Sequence, residues 1–186
     1  RISETEKFPH VTYFFNGGIP SAYSKEDRTV VPSPRVATYD QKPEMSAFEI
    51  TSILQSRIKA QMYDFILVNF ANMDMVGHTG NLEAAIKAVK TVDLCVRELV
   101  RSFTSLGGAV IITSDHGNVE EMMNLETNDI NTEHSINPVP FILAGTNIGA
   151  RNLPYGSLRD VAPTILEIMG VPKPSEMNGR SLIQTF

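Results

Sequence analysis

Cysteine is nearly absent from the sequence: Cys95 stands alone among 186 residues, so no disulfide can close within the chain. That fits a reducing compartment and leads us to expect a cytoplasmic protein. Cys95 falls among apolar residues in a helical pattern and reads as inert packing. Paired cysteines of the zinc-finger kind are missing too. No apolar run approaches the roughly 20 residues that span a bilayer, and no basic stretch precedes an apolar segment as in a secretory signal. Basic residues are in the minority, 16 Lys and Arg against 21 Asp and Glu, and the resulting net charge of −5 argues against nucleic acid as a partner. An initiator Met is lacking at Arg1, which raises the expectation of a processed terminus or a piece of a longer chain. Internal repeats and low-complexity tracts are absent.

What remains is an ordinary globular composition, 42% hydrophobic and 20% charged, in a chain long enough to bury a core. Strand-like and helix-like segments alternate. His10 to Phe15 is β-rich and ends at Gly17-Gly18. Ser46 and Glu49 have capping-box spacing ahead of Ile50, Ile53, Leu54 and Ile58, which predicts a helix from about 46 to 60. Asp64 to Phe70 reads as a buried strand. A long helix follows Asn81, with Leu82, Ala85, Ile86, Val89, Val92, Val96, Leu99 and Phe103 in one stripe, and Gly107-Gly108 stops it. Ala109 to Thr113 and Val139 to Ala144 read as further strands, with a loop or short helix near 119–124 between them. Asp160 caps a last helix that carries Pro163 in its first turn and ends at Gly170. This alternation predicts an α/β fold with a mainly parallel sheet flanked by helices.

Three of the four histidines stand in polar clusters where strands end or begin. Asp74 and His78 lie just past the strand ending at Phe70, Asp115 and His116 just past Thr113, and His134 just before Val139. Ligands in open α/β sheets collect at the carboxyl ends of strands, so these five side chains are drawn to one edge. Carboxylate oxygens with neutral imidazoles and no thiolates suit Mn²⁺, Zn²⁺ or Fe. An Asp-x-x-x-His or an Asp-His pair alone is commonly incidental, since Asp often caps the next helix. It is their convergence that points to a metal. Five donors exceed one tetrahedral site and fall short of two filled ones, so a segment outside this chain is expected to supply the rest. His10 has no acidic companion in sequence and reads as structural.

The stretches ETEKFPHVTYFFNGG (4–18), PSPRVATYDQKPEMSA (32–47), DFILVNFANMDMVGHTGNLEAAIKAV (64–89), SDHGNVEEM (114–122) and HSINPVPFIL (134–143) closely resemble the C-terminal part of the 2,3-bisphosphoglycerate-independent phosphoglycerate mutases. The resemblance covers nearly the whole chain. It implies an alkaline-phosphatase-like core, incomplete here, with two divalent metal ions, most often Mn²⁺, with Mg²⁺, Co²⁺ or Zn²⁺ as alternatives. By motif, Asp74, His78 and His134 would hold one ion and Asp115 and His116 the other. Lys7 of ETEKF would contact phosphoglycerate; without the resemblance it reads as a surface lysine. The serine nucleophile, a further metal-binding aspartate and an inserted arginine-rich substrate domain would lie in a segment upstream of Arg1. The expected complete enzyme is a monomeric glycolytic isomerase, and this chain alone is expected to be inactive. Met73 and Ser135-Ile136 depart from the family pattern, none at a ligand position. Two other readings use the same residues: another alkaline-phosphatase-like enzyme, such as a phosphopentomutase, phosphodiesterase or sulfatase, or a binding module without catalysis. The ETEKF and NPVPF matches favour the mutase.

Overall fold

A computed structural model describes residues 1–124, 127–145 and 152–183. The chain enters through a short strand, β1 (Ile2–Glu4), which pairs in parallel with β2 (Thr29–Val31), Ile2 opposite Thr29. On its other side β1 meets the segment around Val68, again in parallel. The Ile2 amide donates to the Leu67 carbonyl at 2.9 Å, and the Asn69 amide donates to the Ile2 carbonyl at 3.2 Å. The buried strand expected over 64–70 is therefore present as a single bridge, because only its middle meets the three-residue β1.

Helix α1 (Ala47–Lys59) buries Ala47, Ile50, Thr51, Leu54 and Ile58; of the stripe read from the sequence Ile50, Leu54 and Ile58 are buried and Ile53 partly so. It packs on α3 (Leu82–Thr104), whose long apolar face buries Ala88, Val92, Cys95 and Leu99. Ile2, Val31, Ile50, Leu54, Ile58 and Leu99 make one core cluster, each aliphatic side chain contributing about 1.5–3 kcal/mol when fully buried. Asn81 caps α3, its side chain accepting from the Ala84 amide at 3.1 Å. The Ser46–Glu49 capping box does not form. Ser46 Oγ donates to the Pro32 carbonyl at 2.8 Å instead, tying the helix start to the preceding loop.

The strand expected over 10–15 is instead one turn of π-helix, His10–Phe14. Pro9 sits at the N-cap with helical φ, and Thr12 Oγ1 donates to the Phe8 carbonyl at 2.7 Å, both of which favour helical backbone. Gly17 and Gly18, at φ of 63° and 88°, end the turn.

Beyond α3 come β3 (Ala109–Thr113) and β4 (Phe141–Gly145), which pair antiparallel with Thr113 opposite Phe141. Among the described residues between them the only helical element is a 3₁₀ turn, Val119–Glu121, and no crossover helix returns the chain in parallel. The strand–helix alternation read from the sequence thus holds, with parallel pairing at β1 and reversal at β3–β4. A capping box between Ser157 and Asp160 leads into α4 (Val161–Ile168), and Gly170, at φ 67°, follows its end. No helix among the described residues is long and apolar enough to cross a membrane.

Candidate metal centre

A six-residue helix, α2 (Asn72–Gly77), begins just after the segment that meets β1, and it packs on α3 through Val76, Ala84, Ala85 and Ala88. Asp74 in its first turn and His78 at its C-cap are four residues apart, hence on one face. Gly77 lets this helix end lie flush on the loop after β3: a Cβ there would stand 1.9 Å from Asn118 Oδ1. That loop carries His116. The stretch carrying His134 is laced to it where the Ser135 amide donates to the Gly117 carbonyl at 3.0 Å.

Three donor atoms meet there. Asp74 Oδ1 is 3.1 Å from His78 Nε2 and 3.0 Å from His134 Nε2, and the two Nε2 atoms are 3.0 Å apart. His78 Nδ1 lies 2.6 Å from the Thr132 carbonyl, which can only accept, so Nδ1 carries an N–H and Nε2 is the ring atom that a metal could use. Such a triangle suits a divalent ion. Donors about 2.1 Å from an ion lie about 3 Å apart along an octahedral edge and slightly farther apart in a tetrahedron.

His116 stacks on His134 with ring centroids 3.6 Å apart, and its Nε2 is 3.8 Å from Asp74 Oδ1. Asp115 stands at the margin, its carboxylate half exposed and 3.7 Å from His116 Nε2. All five residues proposed from the sequence as ligands therefore gather at one rim. The three donors of the first group are the tight set, while Asp115 and His116 form a looser pair beside it.

Lys7 is not a solvated surface lysine. Its side chain is largely buried and its ammonium lies 2.5 Å from Asp74 Oδ2. Burial alone would raise the Asp74 carboxyl pKa, but the Lys7 hydrogen bond and charge, with His78 and His116 nearby, bring it below the usual carboxylate range. Desolvation lowers the pKa of His10, whose Nδ1 is buried without a hydrogen-bond partner.

Sequence reasoning missed two supporting residues. Glu120 accepts hydrogen bonds from the Asn118 amide at 2.7 Å, from Asn137 Nδ2 at 3.1 Å and from Ser135 Oγ, joining the loops that bear His116 and His134. The acidic character of 119–124 was visible, but not its partners. Glu4 is fully buried, with the Ser33 hydroxyl donating to Oε2 at 2.9 Å and Oε1 unpartnered. No element was read over residues 2–4, so the sequence carried no signal of that burial.

Residues 1–173 match the metalloenzyme superfamily. The chain belongs to that family. Among relatives of this metalloenzyme chain, the 2,3-bisphosphoglycerate-independent phosphoglycerate mutase 2 of Methanosarcina barkeri is 56% identical over 183 residues, covering 98% of this chain and 35% of the relative. The corresponding mutase of Clostridioides difficile is 55% identical, covering 98% and 36%. The match is to the C-terminal part of these proteins, and the chain spans about a third of their length. A crystal structure of Leishmania mexicana phosphoglycerate mutase at low cobalt concentration superposes with a TM-score of 0.89 at 33% identity, covering 100% of this chain and 37% of that one. The architecture of this metalloenzyme chain is alkaline-phosphatase-like, as the motifs implied.

Proposed function

We propose that the chain supplies the metal-binding part of a 2,3-bisphosphoglycerate-independent phosphoglycerate mutase, an isomerase interconverting 3-phosphoglycerate and 2-phosphoglycerate through a phosphoserine. The observation that carries this reading is the 3.0–3.1 Å triangle of Asp74, His78 and His134 with the Lys7 ammonium against it. Asp74, His78 and His134 hold one divalent ion. Asp115 and His116 contribute to a second, completed by residues outside this chain. Mn²⁺ is the proposed physiological ion; the cobalt named for the Leishmania mexicana structure supports divalent-metal use in general. Ions bound there would neutralise phosphoryl charge and lower the pKa of a coordinated hydroxyl.

The chain's own residues orient and bind. The Thr132 carbonyl orients the His78 ring and the stack on His116 orients the His134 ring before any ion arrives, so little reorganisation accompanies binding. Lys7 offers a compact positive charge that, on exchanging Asp74 for a substrate phosphate, grips the phosphoglycerate. Phosphoryl transfer depends mainly on positioning and electrostatics, which is what such a rim provides. The nucleophilic serine belongs to the part of the relatives that this chain does not span, so the chain alone is proposed to be inactive. The complete enzyme is proposed to be a cytoplasmic monomer of glycolysis acting on a small molecule, with neither nucleic acid nor membrane as partner.

The test is isothermal titration of the chain with Mn²⁺ and Co²⁺, beside mutase assays of a full-length relative carrying the matching changes. His78→Ala and Asp74→Asn are expected to weaken ion binding at least tenfold and to abolish turnover, while circular dichroism stays unchanged. Wild-type metal content and activity in either variant would end the assignment.

A further inference from the structure

Lys7 stands on a single 3₁₀ turn, Thr5–Lys7, that follows β1 directly. One such turn is too short to hold its own geometry, so the place of the lysine is set from outside. Residues 33–43, the loop after β2, do this. Each of the three residues before Lys7 is bonded to that loop. Ser33 Oγ donates to Glu4 Oε2 at 2.9 Å, the Ser33 amide donates to Thr5 Oγ1 at 3.2 Å, and the Tyr39 hydroxyl donates to Glu6 Oε1 at 2.7 Å.

The loop is in turn bolted to the helices under the metal rim. Asn72 of α2, fully buried, donates from Nδ2 to the Pro43 carbonyl at 2.8 Å. Asn81, the cap of α3, donates from Nδ2 to Asp40 Oδ2 at 3.3 Å. The Tyr39 ring packs against the core cluster that contains Val76 of α2 and Ala84 of α3. Tyr39 therefore reaches both sides of the site: its ring rests on the helix that presents Asp74, and its hydroxyl holds the neighbour of Lys7. Burial and the bond to Glu6 push the Tyr39 phenol up to about 12, so it stays protonated and remains a donor near neutral pH.

We propose that Tyr39, together with Ser33, is a positioning residue for Lys7: the loop is a spacer that fixes where the Lys7 ammonium stands relative to α2, and so how it meets a substrate phosphate. The inference rests on the reading of Lys7 as the residue that grips phosphoglycerate. Lysine has a flexible four-carbon stem, yet the Lys7 side chain is only 12% exposed and its ammonium lies 2.5 Å from Asp74 Oδ2. That ion pair lasts only until a phosphate takes the place of Asp74. The bonds to Glu4, Thr5 and Glu6 outlast the exchange and keep the turn where it was. Misplacing a binding group by about 1 Å can cost about a hundredfold, so a spacer remote from the chemistry still governs it. A purely structural Tyr39 would be served as well by phenylalanine, since the ring alone fills the space. Only the positioning role needs the hydroxyl.

The experiment removes the hydroxyl and keeps the ring. The 186-residue chain is labelled briefly with acetic anhydride and read by mass spectrometry, with the exposed Lys59 and Lys87 as references. Lys7 is expected to be acylated at least about fivefold faster in Tyr39→Phe and in Glu6→Ala than in wild type. The double variant is expected to match the single ones, because each breaks the same link. Glu6→Gln keeps an acceptor for the hydroxyl and is expected to restore the slow rate. A second measurement joins the chain to the remainder of the Clostridioides difficile relative and follows mutase kinetics. Tyr39→Phe is expected to raise KM about tenfold with kcat within about threefold, a split that weaker substrate binding gives and a loss of folded protein does not. Unchanged Lys7 labelling in Tyr39→Phe, losses that add in the double variant, or an unmoved KM in an active hybrid would each overturn the proposal. A hybrid that holds Mn²⁺ without turnover would count against the mutase reading instead, and the labelling of Lys7 would still decide the positioning.

Discussion

Glu120→Gln perturbs the link between the loops of His116 and His134 while keeping the side chain's shape. Burial would raise the Glu120 carboxyl pKa, but hydrogen bonds from Ser135, its own backbone, Asn118 and Asn137 bring it from an ordinary 4.5 down to about 2. At 1.36 kcal/mol per pH unit the ceiling on this coupling is roughly 3 kcal/mol, and because the side chain is exposed, water screens it to about 1 kcal/mol. The sign follows from the lowered pKa. Glu120 stabilises the folded chain above pH 4.5, and that contribution fades as pH falls toward 2. Urea denaturation of wild type and Glu120→Gln is therefore expected to differ by about 1 kcal/mol at pH 7, with roughly half of the gap gone by pH 3. Because Ser135 adjoins His134, the variant should also bind Mn²⁺ about tenfold more weakly at pH 7. A stability gap that is the same at pH 7 and pH 3 would refute the reasoning, since it would mean that the charge on Glu120 contributes nothing.

Gly77→Ala places a methyl 1.9 Å from Asn118 Oδ1, so α2 or the His116 loop must move; a loss of about 2–3 kcal/mol and weaker Co²⁺ binding are expected by denaturation and visible titration. Asn81→Ala removes the α3 cap and should cost about 1 kcal/mol by thermal melting, with metal affinity unchanged. Burial raises the pKa of Glu4, only partly offset by hydrogen bonds from Ser33 and the Ser46 backbone, so its ionised form opposes folding at pH values above its folded pKa. Glu4→Gln should therefore match or exceed wild-type stability at pH 8, with the difference shrinking as pH falls toward 4.5. A variant that loses stability uniformly across that range would show that the carboxylate charge is not the cause.

Helices α1 and α3 were legible as helices because apolar residues recur at helical spacing and Asn81 is a strong cap. The face of α3 was only partly legible, since Ala85, Val92 and Leu99 are buried as read but Leu82, Ile86 and Val89 are exposed while Ala84, Ala88 and Cys95 are buried. The five ligand candidates were legible because their short motifs flank apolar strand-like runs. His10–Phe15 misled because its β-branched and aromatic residues favour a strand, whereas the deciding influences, the helical φ of Pro9 and the Thr12 hydroxyl on the Phe8 carbonyl, are local and favour helical backbone. The Ser46–Glu49 spacing misled because the Ser46 hydroxyl had a tertiary acceptor at Pro32. Lys7 could not be placed by pattern alone: its ion pair with Asp74 spans 67 residues of chain and exists only once β1 and α2 are assembled. The antiparallel turn of β4 likewise depended on what the connection lacks, a crossover helix, rather than on the strand's own residues.

Asp74 and His134 are 60 residues apart in the chain and touch at 3.0 Å. An ion gripped by both is a removable staple across that span. A covalent tie of such length would restrict the denatured chain by about 4 kcal/mol, and a metal tie acts in the same direction. Resistance to unfolding would then track the free concentration of the ion. A chelator would loosen the stretch from α2 to β4 without cutting a bond, and cellular metal supply would set how long this part of the molecule survives proteases.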